Sequence, residues 1–251
     1  MGTRHTITKT LKALRLNRVA ANLYYRYVHG FASAKKAAPA AVERCLRKAI
    51  ELKTAEVGDY YEFGVFKGRT FLEAQRSANR LGLRDMRFFG FDSFAGLPPI
   101  DGADDPDESF YEGQYACSKP SVVANLDRCG FDWSRGALIE GYFERSLTPD
   151  CKQHHGMDHV AVALIDGDLY SSAVQCLQFI EDMVVDGTIL ILDDWQAYNQ
   201  ADDRGERRAF AEFLARHSDY SAEEFFEYGS PGTRGKVFIL HTEGMGARQE
   251  K

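Results

Sequence analysis

The segment Tyr60–Thr70 constrains the fold more than any other part of this 251-residue chain. It contains most of a short apolar strand candidate, Asp59–Phe63. Two glycines, Gly64 and Gly68, come next, and a helix-like segment follows them. A glycine-rich turn between a strand and a helix lets backbone N–H groups approach a ligand where a Cβ would clash. The sequence therefore predicts a β-α-β unit with a ligand at its first turn.

The next strand candidate, Arg87–Phe91, is followed at once by Asp92 and Ser93. An acid at this position can bind the hydroxyls of a ribose. The glycines are spaced G-x-x-x-G, so the G-x-G-x-x-G fingerprint of dinucleotide binding is absent. A looser turn after a strand that bears Glu62 suits a compact nucleoside with an amino acid end. These residues favour S-adenosylmethionine as the ligand.

Strand and helix patterns alternate along the rest of the chain. Further strands are predicted at Ala137–Glu140, His159–Ile165 and Thr188–Leu192, and helices at Ala41–Leu52, Ser121–Cys129, Ser171–Val185 and Glu206–Arg216. Such alternation predicts a parallel sheet with helices on both faces. The last two strand candidates, Glu223–Tyr228 and Lys236–His241, are joined by a short turn and predict a hairpin. The predicted fold is α/β and Rossmann-like: a doubly wound, mostly parallel sheet with a C-terminal antiparallel hairpin, as in class I methyltransferases.

Composition places the chain among ordinary globular proteins, with 44% hydrophobic and 27% charged residues. Its length suits one α/β domain with insertions. No apolar run reaches the length of a membrane span, so we expect no membrane partner. The five cysteines are odd in number and never spaced C-x-x-C. They indicate reduced thiols and a cytoplasmic location.

Charge is unevenly distributed. Residues 1–42 hold eight Lys or Arg and no acid, so the remaining residues carry −14 within the net charge of −6. We predict a basic N-terminal arm over residues 1–40, with a hinge at 30–40, and a methyltransferase domain over 41–251. An arm that packs on a sister subunit predicts a homo-oligomer, dimer or larger; a transit peptide is the alternative. The acidic body argues against a nucleic-acid partner.

An insertion at about 98–119 is rich in Asp, Gly, Tyr and Phe. It follows the carboxyl end of the second strand, where open α/β sheets hold their ligand crevice. We expect this insertion to act as a lid over the crevice. The alternative is a solvated surface excursion.

Two acidic pairs follow the fourth and fifth strand candidates. Asp166 and Asp168 end the fourth, and Asp193 and Asp194 end the fifth. Carboxylates that converge at one sheet edge repel one another unless a cation lies among them. Oxygen ligands without a nearby His or Cys indicate a hard cation, Mg²⁺ first and Mn²⁺ or Ca²⁺ after it. The alternative is that these residues are structural caps.

Five ordered segments resemble the macrocin O-methyltransferase family, which methylates sugars of natural products. They are Glu62–Gly68, Gly90–Pro98, Glu140–Leu147, Asp166–Ser172 and Asp193–Trp195. The resemblance implies a class I enzyme that uses S-adenosylmethionine and Mg²⁺ to methylate a sugar hydroxyl. The implied acceptor is a glycosylated small molecule. The insertion and both termini match no family motif, so the acceptor and the hydroxyl stay open.

The resemblance also implies residue roles. The metal ligands would be Asp166, Asp193 and Asp194. The implied cofactor-binding residues are Glu62, Gly64, Gly68, Thr70, Asp92, Ser93 and Asp166, together with the adenine-flanking Gly141, Tyr142 and Phe143. One departure follows the adenine motif, where many relatives carry Thr-Leu-Pro and this chain has Ser146–Pro149.

Methylation of a hydroxyl also needs a general base, for which the sequence leaves several candidates. Asp166 is the first, Asp168 the second, and His154 or His155 the third, although we expect these two histidines in a surface loop. Two other functions stay open. A catechol-type O-methyltransferase would use the same metal chemistry, although its usual Lys after the first metal aspartate is absent from Asp166–Tyr170. A non-catalytic scaffold that binds S-adenosylmethionine is the other.

Overall fold

A seven-stranded sheet forms the centre of the molecule. The computed structural model describes residues 37–100, 104, 110–230 and 233–242. The strands are β1 Asp59–Phe63, β2 Phe88–Asp92, β3 Gly136–Glu140, β4 Val160–Ile165, β5 Val184–Leu192, β6 Tyr220–Ser230 and β7 Thr233–Thr242. Their order is β3-β2-β1-β4-β5-β7-β6. Strand β7 runs antiparallel to both of its neighbours, β5 and β6, and the other neighbouring strands pair in parallel. The predicted α/β fold with a C-terminal antiparallel hairpin is confirmed.

Helices cover both faces of this sheet. They are α1 Ala37–Glu51, α2 Arg69–Leu81, α3 Lys119–Arg128, α4 Phe143–Ser146, α5 Pro149–His155, α6 Tyr170–Ile180 and α7 Gly205–Arg216. Apolar side chains of α1, α2 and α3 form one core with the sheet, and those of α6 and α7 form a second core on the other face. Every residue of β1 and β4 is buried. Such continuous burial is what a parallel strand covered on both faces requires.

Some predicted boundaries were wrong. The helix predicted at Ser171–Val185 ends at Ile180, because Val184 and Val185 already belong to β5. Gly187, with φ +87°, lies at a register shift between β4 and β5. Because this glycine interrupts the strand pattern, the sequence predicted that β5 begins only at Thr188. The first helix includes residues 37–40, which we expected in the hinge.

The stretch that carries His154 and His155 is helical, although it was expected to be a loop. Helix α5 begins after Thr148, whose side chain accepts a hydrogen bond from the Cys151 N–H, and Pro149 occupies its first turn. A Thr-Pro pair is a common helix start. The sequence therefore held the information for this helix.

Several expectations concern residues outside the described ranges. The basic arm up to residue 36 lies there, so its role in oligomerisation stays a prediction, as does the domain division at residue 40. Within the described ranges, no helix combines the length and apolar character needed to cross a bilayer. All five cysteines are free thiols.

Candidate functional site

Gly64 lies where β1 passes closest to the end of β4. Its φ is +95°, and its N–H donates to the Phe91 carbonyl at 2.9 Å. A Cβ at Gly64 would lie only 1.9 Å from the carbonyl oxygen of Asp166. The chain can therefore leave β1 in this direction only with glycine at this position.

Gly68 has a different position from the one expected of a ligand-binding glycine. It precedes α2 with φ +83°, and a Cβ there would lie 3.1 Å from the side chains of Val122 and Leu126 in α3. It does not line the cavity described below. Gly68 shapes the turn and lets α2 pack against α3.

Asp92 connects the two turns that follow β1 and β2. Its Oδ2 accepts hydrogen bonds from the N–H groups of Val65 and Phe66, both at 2.8 Å, and its Oδ1 accepts one from Phe94 at 2.6 Å. Burial raises the pKa of Asp92, while these backbone donors oppose that shift. A carboxylate has about four acceptor sites. One therefore remains for a ligand hydroxyl.

Glu62 is a buried carboxyl at the base of the cavity. It accepts a hydrogen bond from the Tyr60 hydroxyl at 2.6 Å. Burial, as the largest cause, raises the pKa of Glu62 to about 8, although hydrogen bonds from Tyr60 and the Phe71 backbone act in the opposite direction. Glu62 therefore keeps its proton at neutral pH until a cationic group lies beside it.

We expect the stability of the ligand-free protein to record this buried proton. Because the pKa of Glu62 is raised from 4.5 to about 8 on folding, the unfolded chain loses the proton first as pH rises. Wild type therefore loses stability between about pH 4.5 and 8. Glu62→Gln lacks this loss, so its unfolding free energy relative to wild type should rise by several kcal/mol from pH 5 to 8, at about 1.4 kcal/mol per pKa unit. Urea unfolding of both proteins measures the difference; parallel pH curves would contradict it.

Three aspartates converge at the carboxyl ends of β4 and β5. Asp166, Asp193 and Asp194 each place one carboxylate oxygen within 4.8 Å of the others. The pairing of Ile165 with Leu192 at the two strand ends brings the three together. Like charges this close favour a cation, and an all-oxygen set suits a hard ion such as Mg²⁺.

Asp168 lies beside this carboxylate cluster. Its N–H donates to the Oδ2 of Asp194 at 3.0 Å, and its carbonyl accepts the Tyr198 hydroxyl at 3.1 Å. Its φ is +61°, an uncommon value for a residue with a side chain. Asp168 is largely buried and lines the cavity. It is therefore within the same site as the three aspartates.

Two residues that sequence reasoning missed support the cluster. The Tyr228 hydroxyl donates to the Oδ1 of Asp193 at 2.5 Å. The buried Glu206 accepts the Asp194 N–H through Oε2 at 2.9 Å, and its Oε1 has no hydrogen-bond partner among the residues that the structure describes. Burial, and then the negative charges of Asp194 and Asp193, raise the pKa of Glu206 well above its usual range. Neither residue belongs to a sequence motif, and only the fold brings them to the site.

A cavity of about 930 Å³ joins the glycine turn to the carboxylate cluster. The predicted site residues that line it are Glu62, Gly64, Thr70, Asp92, Ser93, Gly141, Tyr142, Phe143, Asp166, Asp168, Asp193 and Asp194. The Ser93 hydroxyl is already engaged, because it donates to the Gly96 carbonyl at 2.7 Å. Apart from Gly68 and the two candidate histidines, the structure therefore brings the predicted site residues to one cavity.

Both candidate histidines lie outside the cavity lining, as do two aromatic residues that follow β4 and β5. The ring of His155 contacts Phe89, and neither His155 nor His154 lines the cavity. Tyr170 donates to Glu212 at 2.6 Å, and Trp195 packs on Phe238. These positions leave the aspartates as the candidate bases.

The described part of the insertion at 98–119 lies against the cavity. Asp104, Phe110 and Tyr115 all line it. The Phe110 ring lies 5.6 Å from that of Tyr198, and Asp104 accepts the Ser171 N–H at 2.8 Å. These contacts favour a cover over a surface excursion. Movement of this segment stays a prediction.

We expect Asp104→Ala to loosen this cover. The substitution removes the acceptor for the Ser171 N–H in the first turn of α6, a contact of the kind that contributes about 1 kcal/mol. Limited proteolysis between residues 98 and 119 should become about fivefold faster. Asp104→Asn keeps an acceptor oxygen and serves as the control. Equal cleavage of the Ala variant and wild type would show that the contact does not hold the segment.

Two characterised O-methyltransferases are similar in sequence to this chain. One relative is the 8-demethyl-8-(2,3-dimethoxy-alpha-L-rhamnosyl)-tetracenomycin-C 4'-O-methyltransferase of Streptomyces olivaceus, 29% identical over 55% of this chain and 53% of that protein. Another is the mycinamicin III 3''-O-methyltransferase of Micromonospora griseorubida, 25% identical over 61% of each chain. The chain thus spans between half and two thirds of the length of these relatives.

Solved structures share the fold. The O-methyltransferase NovP superposes with a TM-score of 0.67 at 22% identity, over 81% of this chain and 79% of that one. The calicheamicin methyltransferase CalS11 gives a TM-score of 0.61 at 22% identity, over 82% and 78%. Residues 38–218, which hold the glycine turn and all three clustered aspartates, match the family described as macrocin-O-methyltransferase (TylF). Since that match covers well over half of the chain, the protein belongs to the macrocin O-methyltransferase family.

Proposed function

We propose that this protein is an S-adenosylmethionine- and Mg²⁺-dependent O-methyltransferase that methylates a sugar hydroxyl of a glycosylated natural product. One observation carries the proposal: the glycine turn and the three-aspartate cluster open into a single cavity. Family membership supports the reaction class. The names of the two relatives, which concern a rhamnosyl-tetracenomycin and mycinamicin III, support a sugar as the acceptor.

The residues around the glycine turn fit S-adenosylmethionine, which supplies the methyl group. Asp92 has one acceptor site left for a ribose hydroxyl, and Glu62 offers a buried carboxyl to a cationic amino acid end. Gly141, Tyr142 and Phe143 line the cavity where the resemblance places the adenine. Sites of 300–1,000 Å³ are typical for small ligands. The cavity of about 930 Å³ therefore has room for the cofactor and part of an acceptor.

The three clustered aspartates fit Mg²⁺, and we assign Asp166, Asp193 and Asp194 as the residues that would hold it. When bound there, the ion orients neighbouring sugar hydroxyls and lowers the pKa of one of them. Two hydrogen bonds hold the aspartates that follow β5. The Tyr228 hydroxyl donates to the Asp193 carboxylate, and the Glu206 carboxyl accepts from the Asp194 backbone N–H. The cluster can therefore hold its geometry without help from the acceptor.

Asp168 is our choice for the proton acceptor, with Asp166 committed to the cation site. Its backbone is held by Asp194 on one side and Tyr198 on the other, so the residue is kept at the cavity wall beside the cluster. A base held next to the reacting hydroxyl can take its proton as the methyl group is transferred. Phe110 and Tyr198 pack together at the wall of the same cavity.

Calorimetric titration tests the proposal. S-Adenosylmethionine and S-adenosylhomocysteine are titrated into wild type and Asp193→Asn, with and without Mg²⁺. The proposal requires cofactor binding to wild type and a heat of Mg²⁺ binding that the variant lacks. Absence of cofactor binding under every condition would rule out the methyltransferase function. Light scattering of the same preparations tests our further expectation that the chain forms a homo-oligomer.

A further inference from the structure

We propose that Tyr228, on the C-terminal hairpin, is a positioning residue for the cation site. The inference rests on the proposed function, because it assumes that Asp193 binds a divalent cation. Tyr228 and the glycine that makes room for it lie beyond residues 38–218, the part of the chain that matches the family. The proposed role therefore belongs to a segment outside the family match.

The path of the Tyr228 side chain is unusual. Tyr228 lies on β6, the edge strand, while Asp193 directly follows β5, and β7 lies between these two strands. The phenol nevertheless reaches the Oδ1 of Asp193 at 2.5 Å. Its side chain therefore crosses the intervening strand to reach the carboxylate cluster.

Gly235 makes this crossing possible. It is the residue of β7 that pairs with Tyr228 in the sheet register. A Cβ at Gly235 would lie 2.4–2.6 Å from three atoms of the Tyr228 side chain, closer than real Cβ contacts. Any larger residue at this position would displace the phenol. The glycine and the tyrosine therefore form a matched pair across the two strands.

The hydrogen bond fixes one oxygen of Asp193. A carboxylate without a partner rotates between orientations, whereas a donor on Oδ1 holds the plane of the group. Partners of this kind behind metal ligands typically affect metal affinity by 10–100-fold. The phenol is also a neutral donor, so it orients Asp193 without adding a charge to the cluster.

The test compares Mn²⁺ binding by wild type and Tyr228→Phe. Electron paramagnetic resonance measures the free Mn²⁺ at each concentration. We expect the dissociation constant to rise at least about tenfold. Tyr220→Phe is the matched control: Tyr220 lies on the same strand, and its hydroxyl donates to the Glu181 carbonyl at 2.9 Å, away from the cavity lining. Its loss should leave Mn²⁺ affinity unchanged. Gly235→Ala should weaken binding as Tyr228→Phe does.

Activity then separates positioning from catalysis. For Tyr228→Phe, the Mg²⁺ concentration that gives half-maximal rate should rise about tenfold, while kcat at saturating Mg²⁺ stays close to wild type. Equal Mn²⁺ affinity of wild type and Tyr228→Phe would overturn the inference and leave the proposed function intact. Absence of Mn²⁺ binding by wild type would overturn the metal site and this inference together.

Discussion

Asp193→Asn is expected to lower the rate of Mg²⁺-dependent methyl transfer roughly a thousandfold. The substitution removes one of three carboxylates that lie within 4.8 Å of one another, and a bound cation contributes several kcal/mol of transition-state stabilisation. At about 1.4 kcal/mol per factor of ten, that is a loss of about 10³. Transfer of labelled methyl groups from S-adenosylmethionine at saturating Mg²⁺ measures the effect.

The thermal stability of Asp193→Asn should not fall with its activity. This difference distinguishes loss of the cation site from general unfolding. Without a cation, three converging carboxylates repel one another. Asn keeps the acceptor oxygen for the Tyr228 hydroxyl but removes one charge. In EDTA, Asp193→Asn should therefore melt at a temperature equal to or above that of wild type. Asp150→Asn, in the exposed first turn of α5, is the matched control and should keep full activity. Full activity of Asp193→Asn would refute the metal assignment.

Gly64→Ala is expected to have the largest effect on the fold of the site. A Cβ at this position would lie 1.9 Å from the backbone carbonyl of Asp166. Neither side can yield without moving the end of β1 or β4. We expect a loss of at least about 3 kcal/mol in the free energy of unfolding, comparable to a severe packing defect. Cofactor binding should be lost as well, because both strand ends form the cavity wall.

Gly82→Ala is a control that separates backbone strain from contact. Gly82 has φ +83°, close to the +95° of Gly64, but a Cβ there would meet no atom within 4 Å. Its substitution should cost about 1–2 kcal/mol, the strain of a left-handed residue alone. Urea unfolding of both variants measures the difference. If the two variants lose the same free energy, close contact with Asp166 has no part in the role of Gly64.

Local patterns predicted much of the sheet and the site. β1, with Gly64 after it, and the aspartates after β4 and β5 are each encoded in a few consecutive residues. Parallel strands place their carboxyl ends at one edge, so Asp166 and Asp193 could be predicted to meet without knowledge of the loops. The C-terminal hairpin was predictable in the same way, from two strands and a short turn.

Residues that reach the site from distant elements could not be predicted. Tyr228 reads as an ordinary strand residue, and its contact with Asp193 depends on the order β5-β7-β6 and on Gly235. Glu206 is in the first turn of α7, where an acid usually interacts with the helix dipole at the surface. Its burial against Asp194 follows from tertiary packing alone.

The cavity wall formed by residues 198–200 is the least predictable part. Tyr198, Asn199 and Gln200 line the cavity and have consecutive φ values of +54°, +54° and +63°. No glycine in this run indicates a left-handed backbone from the sequence. The conformation costs about 1–2 kcal/mol of strain per residue. Contacts such as that of Tyr198 with Asp168 stabilise it. Strain held in this way is often found at functional sites.

The most direct test of the proposed function is the position of the transferred methyl group. The protein is incubated with ¹³C-methyl-labelled S-adenosylmethionine, Mg²⁺ and a panel of rhamnosyl glycosides that also carry a free phenol. We expect NMR to place the label on a sugar hydroxyl, and EDTA or Asp193→Asn to abolish the transfer. Label on the phenol, or transfer that persists in EDTA, would contradict a metal-dependent sugar O-methyltransferase.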